Sequence, residues 1–184
     1  MRFVDDRYDY EEVDSAKADL VMAHLSSQFL SPSFAGQVLT ATTSSTSFTV
    51  STSANFSYTD PIDHSVSKNQ GLYVTFVDGS RIVFRLSGTG SSGATIRVYV
   101  EKYSKDESEY GGDTQEGLRP LIEVALKISQ LRELTGRQEP TVITVRSLPL
   151  PSAAADADAI GSFIVKHNLD QSIRNRSGNV VSIK

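Results

Sequence analysis

Residues 72–100 read LYVTFVDGSRIVFRLSGTGSSGATIRVYV, and the alternation along this stretch decides the fold class. Leu72 to Val77 is β-branched and aromatic, a composition that suits a pleated surface. Asp78-Gly79 follows as a two-residue turn pair that tolerates positive φ. The chain returns from Ser80 to Leu86, with Ile82, Phe84 and Leu86 on one face and Arg81, Val83 and Arg85 on the other. A strand from Ala94 to Val100 repeats the pattern. Ile96, Val98 and Val100 turn inward, while Thr95, Arg97 and Tyr99 turn outward. Such alternation predicts antiparallel strands with one face in the core and one in water.

The flanks add helices. Ala16, Leu20, Ala23 and Leu25 fall roughly along one face, predicting a helix from Tyr10 to Phe29. Acidic residues crowd its start, where the macrodipole favours them, and Pro32 lies beyond its end. Leu118, Leu121, Ile122, Ala125, Ile128 and Leu131 form the stripe of a second helix, from Thr114 to about Leu134, with Gly136 at the cap position. Between the first helix and the hairpin, Ser47-Phe48-Thr49-Val50-Ser51 alternates like a short strand. Thr40 to Ser47 reads equally well as low-complexity linker. Tyr58 to Asp63 and Lys102 to Asp113 read as turns. The expected fold is α+β, a four-stranded antiparallel sheet with two helices on one face. Residues 1–144 make this domain. Residues 145–184 are an extension that opens on the proline linker Ser147-Leu148-Pro149-Leu150-Pro151 and is loosely ordered, with a short helix between Ala153 and Asn168 as its one element.

Composition narrows the function. The chain has 184 residues, a formal charge of -4 and 39% hydrophobic residues, as expected of one ordinary domain rather than a generally cationic nucleic-acid or membrane binder. Cysteine is absent, which excludes disulfides, thiolate metal sites and a cysteine nucleophile. The three histidines are scattered, so a histidine-rich metal site is not expected. No apolar run approaches the ~20 residues of a membrane span, and Met1-Arg2-Phe3-Val4-Asp5-Asp6 is no basic-then-apolar leader. The expected compartment is the cytoplasm.

The chemistry lies between the last two predicted strands. Gly88, Gly90 and Gly93 let the backbone turn sharply and bring N–H groups close to a ligand. Ser87 and Thr89 add hydroxyls. Arg85 enters the loop and Arg97 leaves it, on the same predicted face, and the planar guanidinium fork suits phosphate oxygens. These residues make a phosphate clamp; the competing reading is a flexible serine-glycine connection with two unrelated surface arginines. No Gly-Lys-Ser/Thr follows and no helix opens, so neither a Walker loop nor a dinucleotide fold fits. Each charge-assisted bond contributes ~1.5–3 kcal/mol, and ordering each mobile residue costs ~1–2 kcal/mol. The clamp alone is therefore expected to bind weakly, near the millimolar scale of about 4 kcal/mol. Elsewhere, Asp5, Asp6, Asp9, Glu11 and Glu12 read as a solvated helix start in preference to a magnesium site. Asp60 and Asp63 read as turn residues, Tyr8 and Tyr10 as packing or hinge residues facing neighbouring domains, and His64 as a loop residue without a role.

The stretch GLYVTFVDGSRIVFRLSGTGSSGATIRVYVEKY closely resembles the C-terminal domain of eukaryotic-type phosphoglucomutases, in the α-D-phosphohexomutase superfamily. Arg7-Tyr8-Asp9-Tyr10-Glu11 resembles the opening of that domain, Tyr58-Thr59-Asp60-Pro61-Ile62-Asp63 an internal stretch, and Thr135 to Thr144 its end. The resemblance implies a TATA-box-binding-protein-like sheet-and-helix domain. It implies that Arg85, Ser87, Gly88, Thr89, Gly90 and Arg97 hold the non-transferring phosphate of a glucose phosphate. In that family glucose 1-phosphate and glucose 6-phosphate interconvert through glucose 1,6-bisphosphate on a magnesium-dependent phosphoserine. The Thr-x-Ser-His-Asn-Pro loop, the Asp-Gly-Asp-Gly-Asp magnesium loop and the Gly-Glu-Glu-Ser sugar loop are missing from this sequence. His64 stands where the family commonly has glycine. The expectation is a phosphate-binding domain without catalytic or metal residues of its own and inactive as an isolated chain. Its expected partners are phosphosugars and the other three mutase domains or a full mutase. A regulatory phosphosugar-binding module and one chain of a split mutase are the alternatives.

Overall fold

The computed structural model describes residues 2–59, 66–90, 93–104 and 114–147. The elements run β1 (Arg2–Val13), α1 (Ser15–Phe29), β2 (Val38–Thr40), β3 (Ser47–Thr59), β4 (Val66–Phe76), β5 (Arg81–Gly90), β6 (Gly93–Ser104), α2 (Thr114–Ser129), α3 (Leu131–Thr135) and β7 (Val142–Ser147). The strands form one seven-stranded sheet in the order β2-β3-β4-β5-β6-β1-β7, with every neighbouring pair antiparallel. The fold is thus α+β as expected, with seven strands in place of four.

The sheet's two faces follow the predicted alternation. Ile82, Phe84, Ile96, Val98 and Val100 lie in the core with Leu72 and Val74. Against them pack Ala18, Val21, Leu25 and Phe29 of α1 and Leu118, Leu121, Val124, Ala125 and Ile128 of α2. Each such large side chain contributes ~1.5–3 kcal/mol by leaving water. Both helices cover the same face, and they touch each other.

The first helix departs from expectation. Arg2 to Val13 is a strand, and α1 begins at Ser15, where the Asp14 side chain accepts a hydrogen bond from Lys17 N at 3.1 Å. No acidic residue occupies its first turn. Period-two alternation wins over the acidic start because Asp6, Tyr8 and Tyr10 face the helices while Asp5, Arg7 and Asp9 face the other way. The buried stripe of α1 is Ala18, Val21, Leu25 and Phe29, leaving Leu20 57% exposed.

Further differences are local. Thr40 to Ser47 closes a β2–β3 hairpin rather than a linker, with Ala41 N donating to Thr46 O at 2.9 Å. The β4–β5 connection is a three-residue loop: Phe76 O accepts from Gly79 N at 3.0 Å, Phe76 N donates to Ser80 O at 2.9 Å, and Gly79 takes φ 88°. The second helix breaks at Gln130, in left-handed conformation at φ 48°, before α3 ends on the predicted Gly136 cap. Tyr58 and Thr59 belong to β3 and Lys102 to Ser104 to β6, where turns were expected, because each continues the pairing of its strand. The rest of the two expected turns, His64, and the extension beyond Ser147 with its short helix lie outside the described residues.

Candidate functional site

The sheet face opposite α1 and α2 is polar, and its side chains stand in rows across the strands. Arg81 of β5 opposes Glu101 of β6, which opposes Asp5 of β1. One step along, Val83 opposes Tyr99, which opposes Arg7. At the next step Arg85 opposes Arg97, which opposes Asp9. Ser87 opposes Thr95 at the following step, before the irregularity that separates this pair from Gly90 and Gly93.

The arginines of this face differ in what they meet. Arg81 makes a bidentate pair with Glu101, through Nε to Oε2 at 3.1 Å and Nη2 to Oε1 at 2.7 Å. It is committed to the sheet. Arg97 Nε lies 3.8 Å from Asp9 Oδ2, and Arg7 Nε lies 3.0 Å from Asp9 Oδ1. Arg7 Nη2 also donates to Thr144 Oγ1 at 3.3 Å. Asp9 is only 4% exposed, so its carboxylate is compensated by these guanidinium groups rather than by water. Arg85 and Arg97 are half-buried, and their direct opposition across β5 and β6 places like charges side by side. The Asp9 carboxylate offsets the charge of Arg97 at one side of this row.

Arg85, Ser87 and Arg97 therefore come together on one face at one end of the sheet. Gly88 sits at an irregularity of β5 with φ 69°, where an added Cβ would meet nothing within 4 Å, so its backbone faces open space. Gly90 pairs with Gly93, and the strands run Thr89 and Gly90 up to the turn. Ser91, Ser92 and the Thr89 side chain fall outside the described residues. Gly93 has φ 93°, and a Cβ there would lie 3.0 Å from Val13 O and 3.2 Å from Glu12 Cα. Glycine is what lets β6 start against the end of β1.

Sequence reasoning missed Asp9 and Arg7 as members of this face, whereas Thr95 stands on it as expected. Asp9 and Arg7 were hidden by reading β1 as a helix start; the parity of Arg7 and Asp9 against Tyr8 and Tyr10 was the available signal. The acidic residues divide by face and form no magnesium cluster. Asp6 accepts from Tyr8 Oη at 3.1 Å and from Gln115 Nε2 in a short contact on the helix side, while Asp5 and Asp9 lie opposite. Tyr8 and Tyr10 are buried against α2 rather than facing outward. Burial, then the Asp6 charge, pushes the Tyr8 phenol far above its ordinary range. Among the described residues there is no group of three or more His, Asp or Glu side chains arranged to hold a metal ion. None of their helices is long and apolar enough to cross a membrane. The cavity between Tyr8, Tyr10, Phe84 and α2 measures about 10 Å³, scarcely one water, and is a packing gap rather than a ligand pocket.

Residues 2–141 match the family model of the phosphoglucomutase-1 C-terminal domain. The chain is 54% identical to phosphoglucomutase-1 of Oryctolagus cuniculus over 138 residues, which is 75% of this chain and 24% of that protein. It is equally similar, at 54% over 138 residues and the same 75% and 24%, to "Phosphoglucomutase, cytoplasmic 2" of Zea mays. Among solved structures, the open form of the exocytosis-sensitive phosphoprotein pp63/parafusin, a phosphoglucomutase from Paramecium, matches with a TM-score of 0.60 and 43% identity. That match covers 78% of this chain and 23% of the other. The chain spans about a quarter of the length of the curated relatives it matches. The polar face with its arginine pair is thus carried on a domain that belongs to the phosphoglucomutase-1 C-terminal-domain family.

Proposed function

We propose that this chain is the phosphate-binding domain of a phosphoglucomutase and that it holds the non-transferring phosphate of a glucose phosphate. The observation that carries the reading is the cross-strand opposition of Arg85 and Arg97, on the sheet face opposite the helices, beside a glycine-rich connection. Two guanidinium groups offer forked donors to phosphate oxygens, and the Ser87 hydroxyl lies one step along the same face. Backbone N–H groups at Gly88 to Gly90 add neutral donors. Holding a phosphate remote from the reacting hydroxyl supplies binding energy that positions the sugar for phosphoryl transfer. The transfer itself, with its phosphoserine and magnesium, belongs to the remainder of a complete enzyme. In this chain the residues bind and orient. The relatives' names support the substrate class, since they are phosphoglucomutases, and some are called cytoplasmic.

Titration calorimetry with glucose 6-phosphate tests the reading. Wild-type chain is expected to bind at about the millimolar level. Arg85→Ala weakens binding about tenfold, the loss of one charge-assisted contact, and lowers stability by less than about 1 kcal/mol because the stem is half-buried. Equal affinity of the two chains would overturn the clamp.

A further inference from the structure

We infer that Gly71 is a positioning residue for Arg85, because the side chain it lacks leaves the space into which the arginine stem folds. The inference rests on the phosphate-binding reading for its consequence, though its geometry stands apart from that reading.

Gly71 opposes Phe56 of β3 and is buried in β4, next to β5. A Cβ built on it would lie 2.9 Å from Arg85 Cγ, 2.5 Å from Phe84 O and 2.8 Å from Phe56 Cε1. No real Cβ tolerates three such contacts. Phe84 O belongs to a strand whose side chain is fully buried, so that wall does not yield. The Phe56 ring is held on its other side by Tyr73, with centroids 6.5 Å apart. The arginine stem is a flexible side chain, and a shift of it carries the guanidinium group with it. Phe56, Gly71, Arg85, Arg97 and Asp9 thus stand in one line across the sheet. Asp9 borders the arginine pair at one end, and the missing side chain of Gly71 borders it at the other. Placing a forked donor to within a fraction of an ångström is what bidentate phosphate binding requires.

The test uses the full chain with isotope-labelled arginine, following the side-chain Nε–H resonances of Arg85 and Arg97 while inorganic phosphate is added. In the wild-type chain both resonances move saturably. In Gly71→Ala the Arg85 resonance is already displaced before phosphate is added, the Arg97 resonance is not, and phosphate binds about tenfold more weakly. A folded Gly71→Ala chain with an unmoved Arg85 resonance, or with wild-type phosphate affinity, overturns the inference. If neither arginine of the wild-type chain responds to phosphate, the binding reading fails, while the phosphate-free displacement still decides the packing claim. The contact is also read directly in the wild-type chain, as cross-relaxation between Gly71 Hα and Arg85 Hγ. Its presence supports the inference and its absence overturns it, even where Gly71→Ala does not fold.

Discussion

The Tyr10 ring is 2% exposed between β1 and α2, and burial pushes its phenol up to about 12, with Arg132 pulling it down and Glu139 pushing it up. The folded value lies above the ordinary 10.0, so the unfolded chain ionises first. The contribution of neutral Tyr10 is complete below pH 10.0 and is lost as pH rises towards about 12. Tyr10→Phe is therefore expected to keep on the order of 1–2 kcal/mol more of its own stability across that window than wild type does, read from urea midpoints at successive pH values. A parallel decline of both chains would contradict the assignment. The inward direction of Tyr8 and Tyr10 was missed because a strand assignment is needed before parity means anything. Arg85 and Arg97 were legible for the converse reason: both stand in clear strands, and their parity against Phe84 and Val98 puts them on the outer face.

At the scale of elements, the β2–β3 hairpin is pinned from outside. Glu123 of α2 accepts from Thr42 N at 3.0 Å, from Thr43 N at 3.1 Å and, in a short contact, from the Thr43 hydroxyl. The Thr43 hydroxyl and then its backbone N–H hold the Glu123 carboxyl below its ordinary 4.5. The pin is therefore present above pH 4.5 and is lost as pH falls through the lowered value. Glu123→Ala is expected to speed hydrogen exchange of the Thr42 and Thr43 amides at neutral pH; unchanged exchange would show that the hairpin holds itself. Nothing in a serine-threonine run announces such a contact, since the partner lies 80 residues away. β4, β5 and β6 were legible because each buries a clean apolar face against the helices. β1 was not, because its inward face carries the charged Asp6 ahead of Tyr8 and Tyr10 and its outward face is charged, which blurs the alternation. β7 was missed for a third reason. Val142, Ile143 and Val145 remain 39%, 48% and 49% exposed, so this outer strand has no core face to mark it.

Across the whole molecule, the arginine pair lies on a sheet face that the helices leave uncovered, whereas small-molecule sites usually enclose most of their ligand. On the proposed reading one phosphate alone is held weakly, and useful affinity is expected only when other surfaces hold the sugar. The purified chain is accordingly expected to bind glucose phosphates without interconverting them. Turnover by this chain alone, in a coupled mutase assay, would contradict that division of labour. The most direct test is to map the backbone amide shifts caused by glucose 1-phosphate. The account predicts saturable shifts concentrated at Ser87, Gly88, Thr89 and Gly90 and abolished in an Arg85→Ala/Arg97→Ala chain. Shifts of equal size in the double variant, or centred on another part of the sheet, would contradict it.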